Sequence, residues 1–176
     1  KTVMVEGIAY DVDVDFLSGK YGGDGGNVSK HVDGIKTLPA TGGNFAFEFA
    51  PQTIIVEAER TDGALDVANV NVIAVVPYFV MKTAAMGRGK SKDAYDLYFL
   101  VKHYQAGIDG LAKLFEDYKD SKIILEMKEK LAEKFASPNH AGPADVAAFL
   151  DLDDEEEIAF TKRDAYEQMQ ALINMM

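Results

Sequence analysis

At Pro77 the hydrophobic period of this chain changes, and that change limits the possible folds more than any other feature. Before it, apolar and β-branched residues alternate with polar ones or form short runs, as strands require. After it they recur at spacings of three and four, as helices require. The two patterns do not interconvert, because a period of two cannot line one face of a helix. The sequence therefore predicts an α+β chain: a mixed or antiparallel sheet portion over residues 1–76, then a helical portion over residues 77–176. With 176 residues and 48% hydrophobic content, there is material for one well-filled core.

Within the first portion, Val3 and Val5 precede Gly7, and Tyr10, Val12, Val14 and Phe16 oppose Asp11, Asp13 and Asp15. This predicts two strands over residues 2–18 with a tight turn at Gly7. Residues 19–43 carry GKYGGDGGN and TGG, too much glycine for a helix or a long strand, and are expected to form a loop. Three more strands are expected over residues 44–50, 53–58 and 67–76, with breaks at Pro51-Gln52 and Thr61-Asp62-Gly63. Pro77 suits the first turn of a helix ending near Met86, before Gly87 and Gly89. Ser91 is the expected cap of the next helix, whose apolar stripe is Ala94, Leu97, Tyr98 and Val101. Further helices are expected over 108–118, 121–135 and 144–150, and a final one capped by Asp154 with Glu157 at capping-box spacing.

Charge and composition narrow the function classes. There is no cysteine, which excludes disulfides, thiolate metal sites and a cysteine nucleophile and suits a reducing cytoplasm. Eighteen Lys and Arg against 29 Asp and Glu leave a net charge of −11, which repels polyanions and argues against broad nucleic-acid binding. A small anionic substrate bound through a divalent cation is compatible with that balance, since the metal supplies the positive charge. No apolar run reaches membrane-spanning length, so no membrane association is expected. The chain opens with Lys and enters a strand pattern at once, which leads us to expect that the natural protein begins further upstream.

Two features could carry chemistry. Asp11, Asp13 and Asp15, spaced by two, would present three carboxylates on one face of a strand. Such a cluster binds hard cations, or else is the solvated, aggregation-resistant face of an edge strand. The second feature is residues 81–104, MKTAAMGRGKSKDAYDLYFLVKHY, where Lys82, Arg88, Lys90 and Lys92 fall within eleven positions beside Asp93 and Asp96. Cations at helix ends could hold a triphosphate while the two acids orient them; the same residues could equally form a salt-bridged corner between helices. Elsewhere the signals are weak. GGDGGN lacks a P-loop lysine at the required spacing, His31, His103 and His140 form no ligand pair, and no serine has a nucleophile-elbow context.

The run KTAAMGRGKSKDAYDLYF, residues 82–99, resembles the signature of AbiEii-like nucleotidyltransferases: a lysine, an alanine, then R-x-K-x-(K/R)-D-x-x-D-L. Lys82, Ala85, Arg88, Lys90, Lys92, Asp93, Asp96 and Leu97 match in register. Upstream, DVDVDFLS resembles the strand that carries the third metal-binding carboxylate of that fold, which would be Asp15, with Asp13 as an auxiliary. LAEKFASPNHAGPADVAAFL and RDAYEQMQALI resemble the helical tail of related proteins. The resemblance implies a partial nucleotidyltransferase fold that takes an NTP as substrate with Mg²⁺ or Mn²⁺ and transfers a nucleotide to an acceptor. It also implies a cognate antitoxin protein as partner. In that scheme Asp15 and Lys82 are catalytic and lie around one nucleotide, Lys82 touching the triphosphate. Arg88, Lys90, Asp93 and Asp96 complete the nucleotide site, and Asp13 and Asp15 hold metal. The family's opening glycine-serine or glycine-glycine turn and its first D-x-D cannot be placed ahead of Asp15. That departure leads us to expect a nucleotidyltransferase truncated in this chain and inactive by itself; the alternative is a non-catalytic nucleotidyltransferase-fold remnant that binds a protein or a nucleotide.

Overall fold

Seven helices and seven strands make up the described part of a computed structural model, which covers residues 2–5, 7–20, 30–60, 62–88 and 90–176. Strands fill the first part of the chain and helices the rest, an α+β fold. The chain divides into two compact units, Lys1–Pro77 and Tyr78–Met176.

In the first unit β1 (Thr2–Val5) and β2 (Ile8–Asp11) form an antiparallel hairpin, from Thr2↔Asp11 to Val5↔Ile8. Gly7, at φ 81, supplies the left-handed residue that so tight a reversal needs. The strand expected to continue to Ser18 stops at Asp11, because the ladder with β1 ends there. Chain 12–16 is coil, and β3 (Leu17–Lys20) pairs with a different strand, β5 (Ile35–Thr41), in parallel. Phe16 adds to this join by accepting a 2.8 Å hydrogen bond from the Leu38 N–H through its carbonyl.

β4 (Lys30–Val32) turns back on β5 through Asp33 and Gly34, both at positive φ (49 and 81), giving the order β3-β5-β4. The stretch expected to be loop from Gly19 to Gly43 thus contains two strands. The glycines on either side concealed Ile35–Thr41, which has no clean alternation of its own: its buried residues, Thr37 and Ala40, are three apart and so lie on opposite faces of the strand. The GGDGGN motif lies outside the described residues.

The strand expected at residues 44–50 is instead a helical turn, α1 (Gly43–Ala46). Gly42 at φ 83 reverses the chain, and α1 presses so closely on β3 that a Cβ on Gly19 would stand 1.6 Å from the Asn44 side-chain oxygen. An extended chain could not leave β5 in that way. Phe45 is buried there, edge-on to Phe49 at 4.9 Å. The unit ends in a long antiparallel hairpin of β6 (Gln52–Glu59) and β7 (Leu65–Val72), paired from Gln52↔Val72 to Glu59↔Leu65. The strand expected over 67–76 stops at Val72 because a helix begins at Val75.

That helix is α2 (Val75–Ala85), followed by a 3-10 turn (Met86–Arg88), α3 (Ser91–His103), α4 (Gly107–Lys113) and a second 3-10 turn (Glu116–Tyr118). Then come α5 (Lys122–Lys134), α6 (Ala141–Phe149) and α7 (Glu155–Met175). The single helix expected over 108–118 is broken into α4 and the 3-10 turn. Ser91 is the first helical residue of α3 rather than its cap; Lys90, in extended conformation, takes that place without a side-chain bond. The Asp154 cap forms as expected, its carboxylate accepting the Glu157 N–H at 2.8 Å.

Each long helix buries the stripe its sequence marks. Leu97 and Val101 of α3, Ile124, Met127 and Leu131 of α5, and Ala165, Met169 and Leu172 of α7 are each at most 2% exposed. Phe79 meets Phe115 edge-on at 5.5 Å, both fully buried. Packing of α3 on α6 and α7, and of α6 on α7, closes this core. A polar cross-link adds to it: Tyr98 of α3 donates to Asp164 of α7, and Lys102 donates to the same carboxylate oxygen at 2.7 Å. No helix among the described residues is long and apolar enough to cross a membrane.

Candidate functional site

The charged run at residues 82–96 folds into one corner of the helical unit. α2 ends at Ala85, a 3-10 turn follows over Met86–Arg88, and α3 starts at Ser91, and a side chain from the last turn of α2 reaches the first turns of α3. Lys82 Nζ donates to Asp93 Oδ1 at 2.9 Å and to Asp96 Oδ2 at 2.6 Å. Asp93 and Asp96, three apart, occupy neighbouring positions on the helix surface, which is why one ammonium can reach both. Lys92 grips Asp96 from the same helix, at 2.7 and 2.9 Å to its two oxygens. Asp93 also sits in the first turn of α3, where the helix dipole favours negative charge.

Burial sharpens these interactions. The Lys82 side chain is 24% exposed and those of Asp93 and Asp96 are 12% and 14% exposed, whereas Lys92 is 61% exposed. Burial alone would lower the pKa of the Lys82 ammonium, but its hydrogen bonds to Asp96 and Asp93, with their charges, outweigh that and hold it above the ordinary lysine value. For Asp96 burial pulls upward, and the bonds from Lys82 and Lys92 prevail, so its carboxyl lies below the usual range. Tyr78 is one turn before Lys82, with the ammonium 5.8 Å from its ring centroid. Burial, then the Asp96 charge, raise the Tyr78 phenol above its usual value. An ammonium has three donors, and the two carboxylates take two of them.

The structure therefore brings together Lys82, Lys92, Asp93 and Asp96. Lys90 stands exposed at the start of α3, and Arg88 closes the 3-10 turn with a side chain outside the described part of the structure. The carboxylates expected on one strand face are not arranged so: Asp11 ends β2 and accepts the Thr2 hydroxyl at 2.7 Å, while Asp13 and Asp15 lie on exposed coil. Among the described residues no group of three or more His, Asp or Glu could hold a metal ion. Asp13 and Asp15, on exposed coil, offer at most two carboxylates, so a Mg²⁺ held there would draw the rest of its oxygen shell from water and from a ligand's phosphates. Sequence reasoning missed Tyr78, although its spacing of four from Lys82 was a usable signal. It also missed the pairing of Tyr98 with Asp164, for which two residues 66 positions apart offer no local signal.

The exposed side of α3 continues from this corner as an aromatic surface. Tyr95 stacks on Phe149 of α6 at 4.5 Å and approaches Phe99 at 5.9 Å; Phe99 lies 4.5 Å from His103, and Lys92 Nζ stands 5.9 Å from the Phe149 ring centroid. No family model, curated protein or solved structure matches this chain.

Proposed function

We propose that this chain is a nucleotidyltransferase-like protein whose helical corner meets the phosphates of an NTP through Lys82. The observation that supports the reading is the convergence of Lys82, Asp93 and Asp96, the residues through which the chain resembles that class, around a single ammonium. Two carboxylates orient this lysine and leave its third N–H for an anion, while Lys92 offsets their charge. Over residues 82–96 the cations outnumber the acids four to two, in a chain that is strongly acidic as a whole. Asp15, with Asp13 beside it, is the proposed metal-side carboxylate of the transfer reaction. Its partners on this reading are a nucleotide and a cognate antitoxin protein, in a reducing cytoplasm.

The second reading is a nucleotide- or protein-binding module without catalysis. It is favoured by the absence, among the described residues, of a group of three or more His, Asp or Glu that could hold a metal ion, since two-metal transfer relies on several converging carboxylates. Two measurements separate the readings. In titration calorimetry with ATP and Mg²⁺, Lys82→Ala should weaken binding by about 1 to 3 kcal/mol, the range for losing a charge-assisted contact; unchanged affinity in a folded variant would remove Lys82 from the site. Incubation with labelled NTPs, Mg²⁺ or Mn²⁺ and cell extract should leave no labelled acceptor if the chain only binds. Labelling that disappears in Asp15→Asn would establish the transferase instead.

A further inference from the structure

We propose that the exposed face of α3 is the base-stacking half of a nucleoside triphosphate site, with Phe99 as its platform. The proposal rests on the reading of Lys82 as the phosphate contact and adds what receives the rest of the nucleotide. At 3.6 residues per turn, Lys92, Tyr95, Asp96, Phe99 and His103 fall within a sector of about 100° on α3. The opposite side carries the buried Ala94, Leu97, Tyr98 and Val101. One stripe thus runs from the cations at the start of the helix to aromatic rings further along it.

Aromatic side chains on a helix surface are normally drawn into the core, yet Phe99 is 50% exposed and Phe149 38% exposed. Tyr95 and His103 flank Phe99 within 5.9 and 4.5 Å and steady the ring while leaving part of it open. Seven residues of α-helix place Phe99 about 10 Å along the axis from Lys92, comparable to the separation of base and phosphates in an extended nucleotide. A patch with cations at one end and exposed rings at the other is complementary to a molecule with phosphates at one end and a flat base at the other. Stacking of this kind tolerates any base, so the ligand class is a nucleoside triphosphate rather than one particular base.

The chain contains no tryptophan, so Phe99→Trp installs a single emitter at the proposed platform. ATP with Mg²⁺ should quench it, and inorganic tripolyphosphate with Mg²⁺ should not. By calorimetry the unmodified chain should bind ATP about tenfold more tightly than tripolyphosphate, within the range measured for base stacking on aromatic residues, and Phe99→Ser should abolish that difference. Phe99 is half exposed, so this change spares the core. Equal affinity for the two ligands, unchanged in Phe99→Ser, would overturn the stacking platform while leaving the phosphate contact standing. A loss of tripolyphosphate binding in Phe99→Ser as large as the loss of ATP would likewise overturn it. If neither ligand binds the unmodified chain, the phosphate contact and the platform fall together.

Discussion

The β-rich unit and the helical unit use hydrophobic residues in opposite ways. In Tyr78–Met176 the apolar stripes of α3, α5 and α7 are buried, and Phe79, Phe115, Phe135, Leu97, Leu111 and Leu131 have no exposed surface at all. In Lys1–Pro77 both strands of the long hairpin are exposed on both faces for nearly their whole length, with Ile55 at 68%, Val67 at 61% and Leu65 at 85% exposure. The difference follows from geometry. A two-stranded ribbon has two faces and nothing to cover them, and such hairpins are marginal in water by themselves; a helix needs one neighbour to bury one stripe. Buried apolar surface among the described residues is therefore concentrated in the helical unit, and the candidate corner is built on that well-packed part.

The comparison can be broken most forcefully at the helical core. Phe115→Ala should cost about 3 to 5 kcal/mol, as large aromatic truncations in packed interiors do, and urea unfolding followed by far-ultraviolet circular dichroism would read it. A loss below about 1 kcal/mol would mean that the aromatic pair with Phe79 is not the keystone its burial implies.

Next in size is the corner itself. Lys82→Ala leaves Asp93 and Asp96 side by side with one cation fewer, and should cost about 2 kcal/mol at neutral pH. That is less than the 3 to 5 kcal/mol for fully buried pairs, since the lysine is a quarter exposed. Lys82→Arg should recover part of the loss.

Acid should act on the same corner more gently. The folded state holds the Asp96 carboxyl below its ordinary value, so the unfolded chain binds the extra proton first as pH falls. The stabilisation is present above the unfolded carboxylate value of about 4 and is lost as pH drops through the lower folded value. Asp164, held down against the pull of burial by bonds from Lys102 and Tyr98, acts in the same direction. Asp96→Asn should make the dependence of stability on pH shallower in the range of about 2 to 4. An identical slope in the variant would show that Asp96 ionises in the folded chain as it does unfolded.

The smallest effect belongs to the hairpin. Ile55→Thr, on an exposed strand position, should change stability by no more than about 0.5 kcal/mol. A cost above about 2 kcal/mol would show that the hairpin is covered in solution, and the contrast between the two units would then disappear.

The amino-acid sequence by itself determined the helical half in most respects. Apolar residues at three- and four-residue spacing form a stripe whatever lies opposite, so Ile124, Met127, Leu131 and Phe135 turn inward as their positions imply. The turn at Gly7, the Asp154 cap and the grouping of charges at 82–96 were legible for the same reason, since each depends on residues a few positions apart. Only the tertiary structure decided what depends on a distant partner. Leu17 pairs with Leu38 across a glycine-rich interval, Gly19 admits α1 against β3, and the end of the β1 ladder at Asp11 leaves Asp13 and Asp15 on coil. The corner stands between these cases: the sequence grouped its charges, but the way α3 follows α2 decided that Lys82 meets both Asp93 and Asp96. Helical periodicity is local, whereas strand pairing and chain reversal depend on which segments meet in space.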